Sequence, residues 1–226
     1  TERVIAMDLS GSISATVAGL GFAENLVARD ISTTFPGTED LPIITASSHS
    51  VNLEAIIALK PTLVITDGTI GPIDVVMQLR DVGIPVVFVE KSSSFEGAAT
   101  MAREVAAAFG AVEAGEALAQ RVTAEVDAVR ADIAAIAPGD DAEKLRVVFL
   151  YLRGTSGVAY LFGKESGADD LITSLSAIDV AAEMGWGGMQ PLTDEAMVAA
   201  NPDVILVMTS GLNSVGGAEK LSTEKT

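Results

Sequence analysis

"NLEAIIALKPTLVI", residues 52–65, decides how this chain is read. Its first half carries apolar residues at helical spacing, and Pro61 then precedes a β-branched run. Proline cannot continue a helix and biases its predecessor toward extended backbone, so the helix must end there and a buried strand begin. The pattern recurs without a gap at residues 193–206, "TDEAMVAANPDVIL". Glu54 matches Glu195, Ala55 matches Ala196, Ala58 matches Ala199 and Pro61 matches Pro202. One helix–proline–strand module in each half predicts two similar α/β lobes.

Outward from the first copy, three further apolar runs read as strands: "RVIAM" (3–7), "PII" (42–44) and "PVVFVE" (85–90). Helix-period segments at 12–21, 52–59 and 73–81 separate them, an alternation expected of βαβ units around a parallel sheet. From about residue 95 the chain becomes Ala-rich, with charges at helical spacing and no β-branched clusters. Gly110 is read as a helix end, and a second helix as running from about 112 to 136 until Pro138-Gly139. At 1.5 Å per residue that helix is about 37 Å long, which suits a strut better than a crossover. Strand-like runs resume at "RVVFLYL" (146–152), "GVAYLF" (157–162) and "DVILVM" (203–208). The expected architecture is α/β: two Rossmann-like lobes with parallel sheets, residues 1–110 and 139–226, joined by one long α-helix at 111–138. A ligand cleft is expected between the lobes, beyond the carboxyl ends of the strands.

Composition narrows the partners. The 226 residues are 49% hydrophobic but only 4% aromatic, so aliphatic side chains must fill the core. A formal net charge of −17 disfavours nucleic acid and anionic membrane surfaces, whose phosphates need Lys and Arg. Without cysteine there is neither a disulfide nor a thiolate metal site. No run approaches the roughly 18 apolar residues that span a bilayer. "TERVIAMDLS" lacks the features of a signal peptide, so an exported protein would be seen here in its mature form.

Three segments in order, "RVIAMDLSGSISATVAGLGFAENLVARD" (3–30), "NLEAIIALKPTLVI" (52–65) and "QLRDVGIPVVFVE" (78–90), resemble the substrate-binding proteins of ABC importers for iron complexes and cobalamin. The resemblance runs from residue 3 to about 216. It implies an extracytoplasmic receptor, a cell-surface lipoprotein held on the cytoplasmic membrane by a lipid anchor absent from this chain. It also implies a membrane permease as partner, and no enzymatic activity. Relatives continue past a segment like "GLNSVGG" with another strand and a helix, whereas this chain ends in "AEKLSTEKT"; a truncated second lobe is the expectation.

His49, the sole histidine, follows the run 42–44 and is expected at a carboxyl end facing the cleft. In the other half Tyr151 and Arg153 lie two apart at a strand end, so their side chains share a face. Both places resemble the actinobacterial haem receptors, the HmuT branch of the superfamily. That resemblance implies ferric haem (protoporphyrin IX iron) with His49 and Tyr151 as axial ligands, Arg153 assisting the tyrosine, and upstream haem-carrier proteins as possible donors. The chemistry is coherent, since ferric haem takes imidazole or phenolate. A phenol with an ordinary pKa near 10 must lose its proton to bind well, and iron and a neighbouring Arg both favour the anion. Arg153 contacting a propionate is the open alternative.

Other candidates carry less. Trp186, in the Gly-rich "EMGWGGMQPL", is read as stacking on the porphyrin or as packing; Met184 and Met189 flank it as gap-fillers. Ser10, Ser12, Ser47, Ser48 and Thr69 are hydroxyls able to reach propionates. Tyr160 is a competing phenol, read as packing in a second strand or hairpin. Asp74, Asp169 and Asp170 are candidate contacts to basic pockets on the permease, although acidic residues suit helix starts in any case. The alternatives are a receptor for ferric siderophores or cobalamin and, more distantly, an enzyme using the lone histidine. Siderophore sites need more cationic and aromatic groups, and a bare zinc or manganese site more histidines, than this chain has. Neither a G-x-S-x-G elbow nor a G-x-x-x-x-G-K-[ST] loop is present.

Overall fold

The computed structural model describes residues 2–45 and 50–223. Contacts divide the chain into two compact units, Thr1–Glu125 and Val126–Thr226.

In the first unit the order is β1 (Val4–Met7), α1 (Ser12–Gly19), β2 (Leu26–Ala28), α2 (Leu53–Ala58), β3 (Leu63–Thr66), α3 (Ile73–Asp81), β4 (Val86–Phe88) and α4 (Phe95–Phe109). The strands form one parallel sheet in the order β2-β1-β3-β4. Every residue of β1 and β3 is buried, as a strand covered on both faces requires. Alternation sorts them: Val4, Ala6, Leu63 and Ile65 meet Ile13 and Val17 of α1 and Met101 and Val105 of α4. Ile5, Met7 and Val64 meet Ile56 of α2 and Val76 and Leu79 of α3 on the opposite face.

One expected strand is replaced. The second strand position belongs to Leu26–Ala28, and residues 42–44 make only a bridge, Arg29 to Ile43, beyond its end. Arg29 N donates to Pro42 O and Ile44 N to Arg29 O, each at 3.0 Å. Pro42 has no N–H to extend that ladder, which keeps the segment a one-bridge edge.

α4 stops at Gly110, whose φ of 70° supplies the left-handed cap, and α5 (Val112–Ile136) follows as the expected long helix. A Cβ on Gly115 of α5 would lie 2.4 Å from Ala106 Cβ, so glycine there permits close contact with α4. The boundary between the units falls inside α5.

The second unit continues with β5 (Arg146–Arg153), β6 (Val158–Phe162), α6 (Ala168–Ser174), β7 (Ile178–Asp179), α7 (Val180–Glu183), β8 (Met189–Pro191), α8 (Asp194–Ala200), β9 (Val204–Val207), α9 (Thr209–Ser214) and α10 (Ala218–Thr223). Its sheet is mixed, where a parallel one was expected. β5 pairs in parallel with β7 and β9, but β5–β6 and β6–β8 are antiparallel. Residues 154–157 are too few for a crossover, so β6 must return beside β5 as a hairpin. Val148, Leu150, Leu152 and Leu161 form the buried face, packed by Val180, Ala200 and half-buried Trp186.

The two sequence copies fold alike. Asn52 and Thr193 cap α2 and α8, accepting from Ala55 N at 3.0 Å and Ala196 N at 3.1 Å. Each helix ends before a residue with positive φ, Lys60 at 49° and Asn201 at 41°, and each strand after the proline pairs in parallel with the first strand of its unit. An arginine at the start of that first strand, Arg3 just before β1 and Arg146 as the first residue of β5, closes each helix end. Arg3 donates to Leu59 O at 2.7 and 3.0 Å, and Arg146 to Ala200 O at 3.1 Å. The same arginines give their carbonyl oxygens to Thr62 N and Asp203 N, both at 2.8 Å.

At the carboxyl ends of β1 and β2 two buried carboxylates, Asp8 and Asp30, tie the loops down. Asp8 accepts from Ser12 N at 2.9 Å, Ser10 N at 3.2 Å and Ile13 N at 3.2 Å, which starts α1. Its own N–H donates to Asp30 Oδ2 at 3.0 Å, while Asp30 Oδ1 accepts from Ser32 N at 2.7 Å and Thr33 N at 2.8 Å. Gly11 closes the turn with a φ of 74°, and a Cβ there would fall 2.7 Å from Ser32 O. Burial holds the Asp30 carboxyl above the ordinary range, against the pull of its N–H donors; the charge of Asp8 adds to the rise.

Two expectations follow. A non-glycine residue in the left-handed region costs about 1–2 kcal/mol, so Lys60→Gly should raise the unfolding free energy by about 1 kcal/mol in a urea titration. A loss of stability would show that Lys60 is not strained. For Asp30, the folded chain holds the proton more tightly than the unfolded one. Its contribution is therefore full below the ordinary value of 3.8 and is lost as pH rises through the raised folded value. Asp30→Asn is neutral throughout and lacks that loss, so wild type should lose stability relative to it as pH rises above about 4 and through the raised folded value. The opposite trend would mean that the N–H donors outweigh burial.

Candidate ligand-binding site

Ligand chemistry in parallel α/β units gathers where strands end and loops begin. In the first unit those ends carry an apolar rim and several hydroxyls. Leu9, Ile31, Ile73 and Phe88 are all exposed, and Gly68 sits beside Phe88 and Ile73, where a Cβ would lie 3.7 and 3.8 Å from them. Thr69 Oγ1 accepts from Leu9 N at 3.1 Å and donates to Asp67, tying the loops after β1 and β3 together. The Ser10 and Ser12 hydroxyls both donate to Asp8. Asp74 stands exposed in the first turn of α3.

His49, Ser47 and Ser48 lie outside the described residues. The chain on either side of them is anchored. Thr45 bridges Val51, and Ser50 bridges Gly71 of the loop after β3. Ile31 N donates to Thr45 Oγ1 at 3.0 Å, and Asn52 N to Ile44 O at 2.9 Å.

In the second unit the β5–β6 hairpin sets the candidates on one face. Cross-strand register pairs Phe149 with Phe162, Tyr151 with Tyr160 and Arg153 with Val158. Residues directly opposite share a face, so this face carries both phenols and the guanidinium while Leu150, Leu152 and Leu161 turn into the core. Phe162 stacks on Tyr151 at 5.7 Å and 11° and on Phe149 at 5.4 Å and 21°, which steadies the Tyr151 ring. Tyr151 and Tyr160 are half-buried and Arg153 is exposed. Among the described residues, neither phenol oxygen nor the Arg153 guanidinium has a hydrogen-bond or ion-pair partner. A close approach fixes the strand's end, since Gly154 N donates to Ser214 Oγ of α9 at 2.8 Å and a Cβ on Gly154 would collide with Ser214 O.

The remaining candidates are spread out. Trp186 packs on the core of this unit, Met184 caps α7, and Met189 lies exposed on β8 opposite Phe162. Asp169 accepts from Glu165 N at 3.0 Å and Gly167 N at 3.2 Å, and Asp170 pairs with Arg130 at 3.3 Å. Asp8 and Asp30 are not among the residues singled out from sequence, although "DLSGS", an acid followed by serines at a helix start, is a signal for Asp8. No group of three or more potential metal ligands occurs among the described residues.

Comparison with known proteins fits this arrangement. Residues 8–226 match the periplasmic binding protein family. The crystal structure of the heme binding protein HmuT is 40% identical, with a TM-score of 0.90, covering 98% of this chain and 71% of that one. Further HmuT structures carry alanine in place of one histidine, one tyrosine or an arginine two positions after the tyrosine. Among curated proteins, the uncharacterized ABC transporter substrate-binding lipoprotein YvrC of Bacillus subtilis (strain 168) is 27% identical over 198 residues, 86% of this chain and 60% of that protein. The cobalamin-binding protein of Halobacterium salinarum is 27% identical over 212 residues, 92% of this chain and 54% of that protein. The chain thus spans three-fifths or less of the curated relatives it matches. These relatives are binding proteins rather than enzymes. By a match that extends from residue 8 to residue 226, the chain belongs to the periplasmic binding protein family.

Proposed function

We propose that the chain captures ferric haem outside the cytoplasmic membrane and hands it to the permease of an ABC importer. The observation that carries this reading is the Tyr151-Leu152-Arg153 strand end. There a phenol and a guanidinium, both without partners among the described residues, share one face, in a chain 40% identical to a heme binding protein. His49 and Tyr151 are the axial ligands in this reading. Arg153, on the same face of the strand end, assists Tyr151 in this reading. Ser48 is a candidate for a propionate. Ser10 is left out, because its hydroxyl proton is given to Asp8. Asp74 is the acidic residue we assign to permease docking, since Asp170 is engaged by Arg130 and Asp169 by backbone N–H groups.

Titration with ferric haem should produce a saturable, shifted Soret band with a phenolate-to-iron charge-transfer feature. Tyr151→Phe should abolish that feature, and His49→Ala should shift the Soret band. Arg153→Ala should weaken binding by about 10-fold, in line with losses at groups that support a metal ligand. It should also move the acid-induced loss of the charge-transfer band to higher pH. Saturable binding of a cobalamin with no haem-induced spectrum would instead favour the substrate named for the Halobacterium salinarum relative.

A further inference from the structure

We infer that Tyr160 is a positioning residue for the iron ligand, donating its phenol hydrogen to the Tyr151 oxygen once that oxygen binds iron. The inference rests on the haem reading above and adds a residue to it. In sequence, Tyr160 looks like packing, with apolar neighbours on both sides in "GVAYLFG". Register adds what those neighbours do not show. The antiparallel pairing places Tyr160 directly across from Tyr151, on the face away from the core that Leu150, Leu152 and Leu161 build. Roots of directly opposed residues lie about 5 Å apart, so two side chains of equal length can bring their oxygens to one place in front of the sheet.

Three observations favour a polar role over packing. Tyr160 is only half-buried, and its oxygen has no hydrogen-bond partner among the described residues. The Tyr151 ring is held by its stack on Phe162, which in turn stacks on Phe149, and Tyr160 takes no part in that column. On the next β-strand Tyr160 faces Pro191, which offers neither an N–H nor a polar side chain to its hydroxyl. Arg153 sits beyond Tyr151 on the same face, across from Val158, so the ligating oxygen has a cation along its own strand and a neutral donor across the hairpin.

The chemistry then has a direction. A neutral O–H donor stabilises a phenolate over the phenol and draws electron density from the iron–oxygen bond. A Tyr160→Phe substitution removes one oxygen and leaves the ring. In the ferric haem complex it should move the phenolate-to-iron charge-transfer band to longer wavelength and raise the pH at which acid abolishes the band. It should also speed haem release about 10-fold, the size expected when a hydrogen bond to a charged acceptor is lost.

The experiment records the ferric-haem spectrum, its acid titration and the haem release rate for wild type, Tyr160→Phe and Tyr151→Phe, with thermal unfolding of each ligand-free protein alongside. The inference holds if Tyr160→Phe unfolds like wild type yet shows the shifted band, the raised acid midpoint and the faster release. A band and acid midpoint identical to wild type overturn it and assign Tyr160 to packing, leaving the haem reading intact. If wild type itself shows no charge-transfer band, or Tyr151→Phe keeps it unchanged, the haem-ligand reading falls and this inference with it. Should Tyr160→Phe unfold early, Tyr160→Leu, which keeps apolar bulk and carries no hydrogen-bond donor, must give the same spectral changes for the inference to stand.

Discussion

An arginine reaching back to the last carbonyls of a short helix is the interaction on which both units depend. Helix C-termini leave carbonyls without partners, and a proline immediately afterwards forbids the usual continuation. Arg3 closes α2 at Leu59 O and Arg146 closes α8 at Ala200 O, while their own carbonyl oxygens receive Thr62 N and Asp203 N. Each arginine thereby joins three things at once: the helix end, the strand after the proline and the first strand of its unit. The strands emerge at their far ends in fixed register, and there Asp8, Thr69, Tyr151 and Arg153 stand.

The two units then use the carboxyl ends of their strands differently. In the first, buried Asp8 and Asp30 spend their oxygens on backbone N–H groups and hydroxyls, so the polar groups there are largely satisfied from within. What it presents outward is an apolar rim of Leu9, Ile31, Ile73 and Phe88. In the second, phenols and a guanidinium stand on a short hairpin without hydrogen-bond or ion-pair partners among the described residues.

Much of this was legible in sequence because short β-branched runs after prolines leave little choice of structure. The repeated module, the helix stop at Gly110 and the length of α5 all came from local rules that tertiary contacts did not override. What escaped notice depended on distant partners. β2 has only three residues and is a strand because β1 lies beside it, whereas Pro42-Ile43-Ile44 has the right composition but lacks an N–H where the ladder needs one. The mixed second sheet follows from the short hairpin connection, not from the strands' composition. Tyr160 lies in a hairpin strand, as its sequence suggests, but its place across from Tyr151 depends on register, which its apolar neighbours in sequence do not reveal. His49 was legible as an oddity of composition alone.

In the proposed function, metal coordination rather than burial of a flat apolar molecule gives this chain its ligand. Competition between ferric haem and metal-free protoporphyrin IX, followed by equilibrium displacement, tests it most directly. The iron form should displace the metal-free ring at far lower concentration, and this preference should shrink in Tyr151→Phe, where His49 alone remains of the two proposed axial ligands. Equal affinity for the two rings would contradict it.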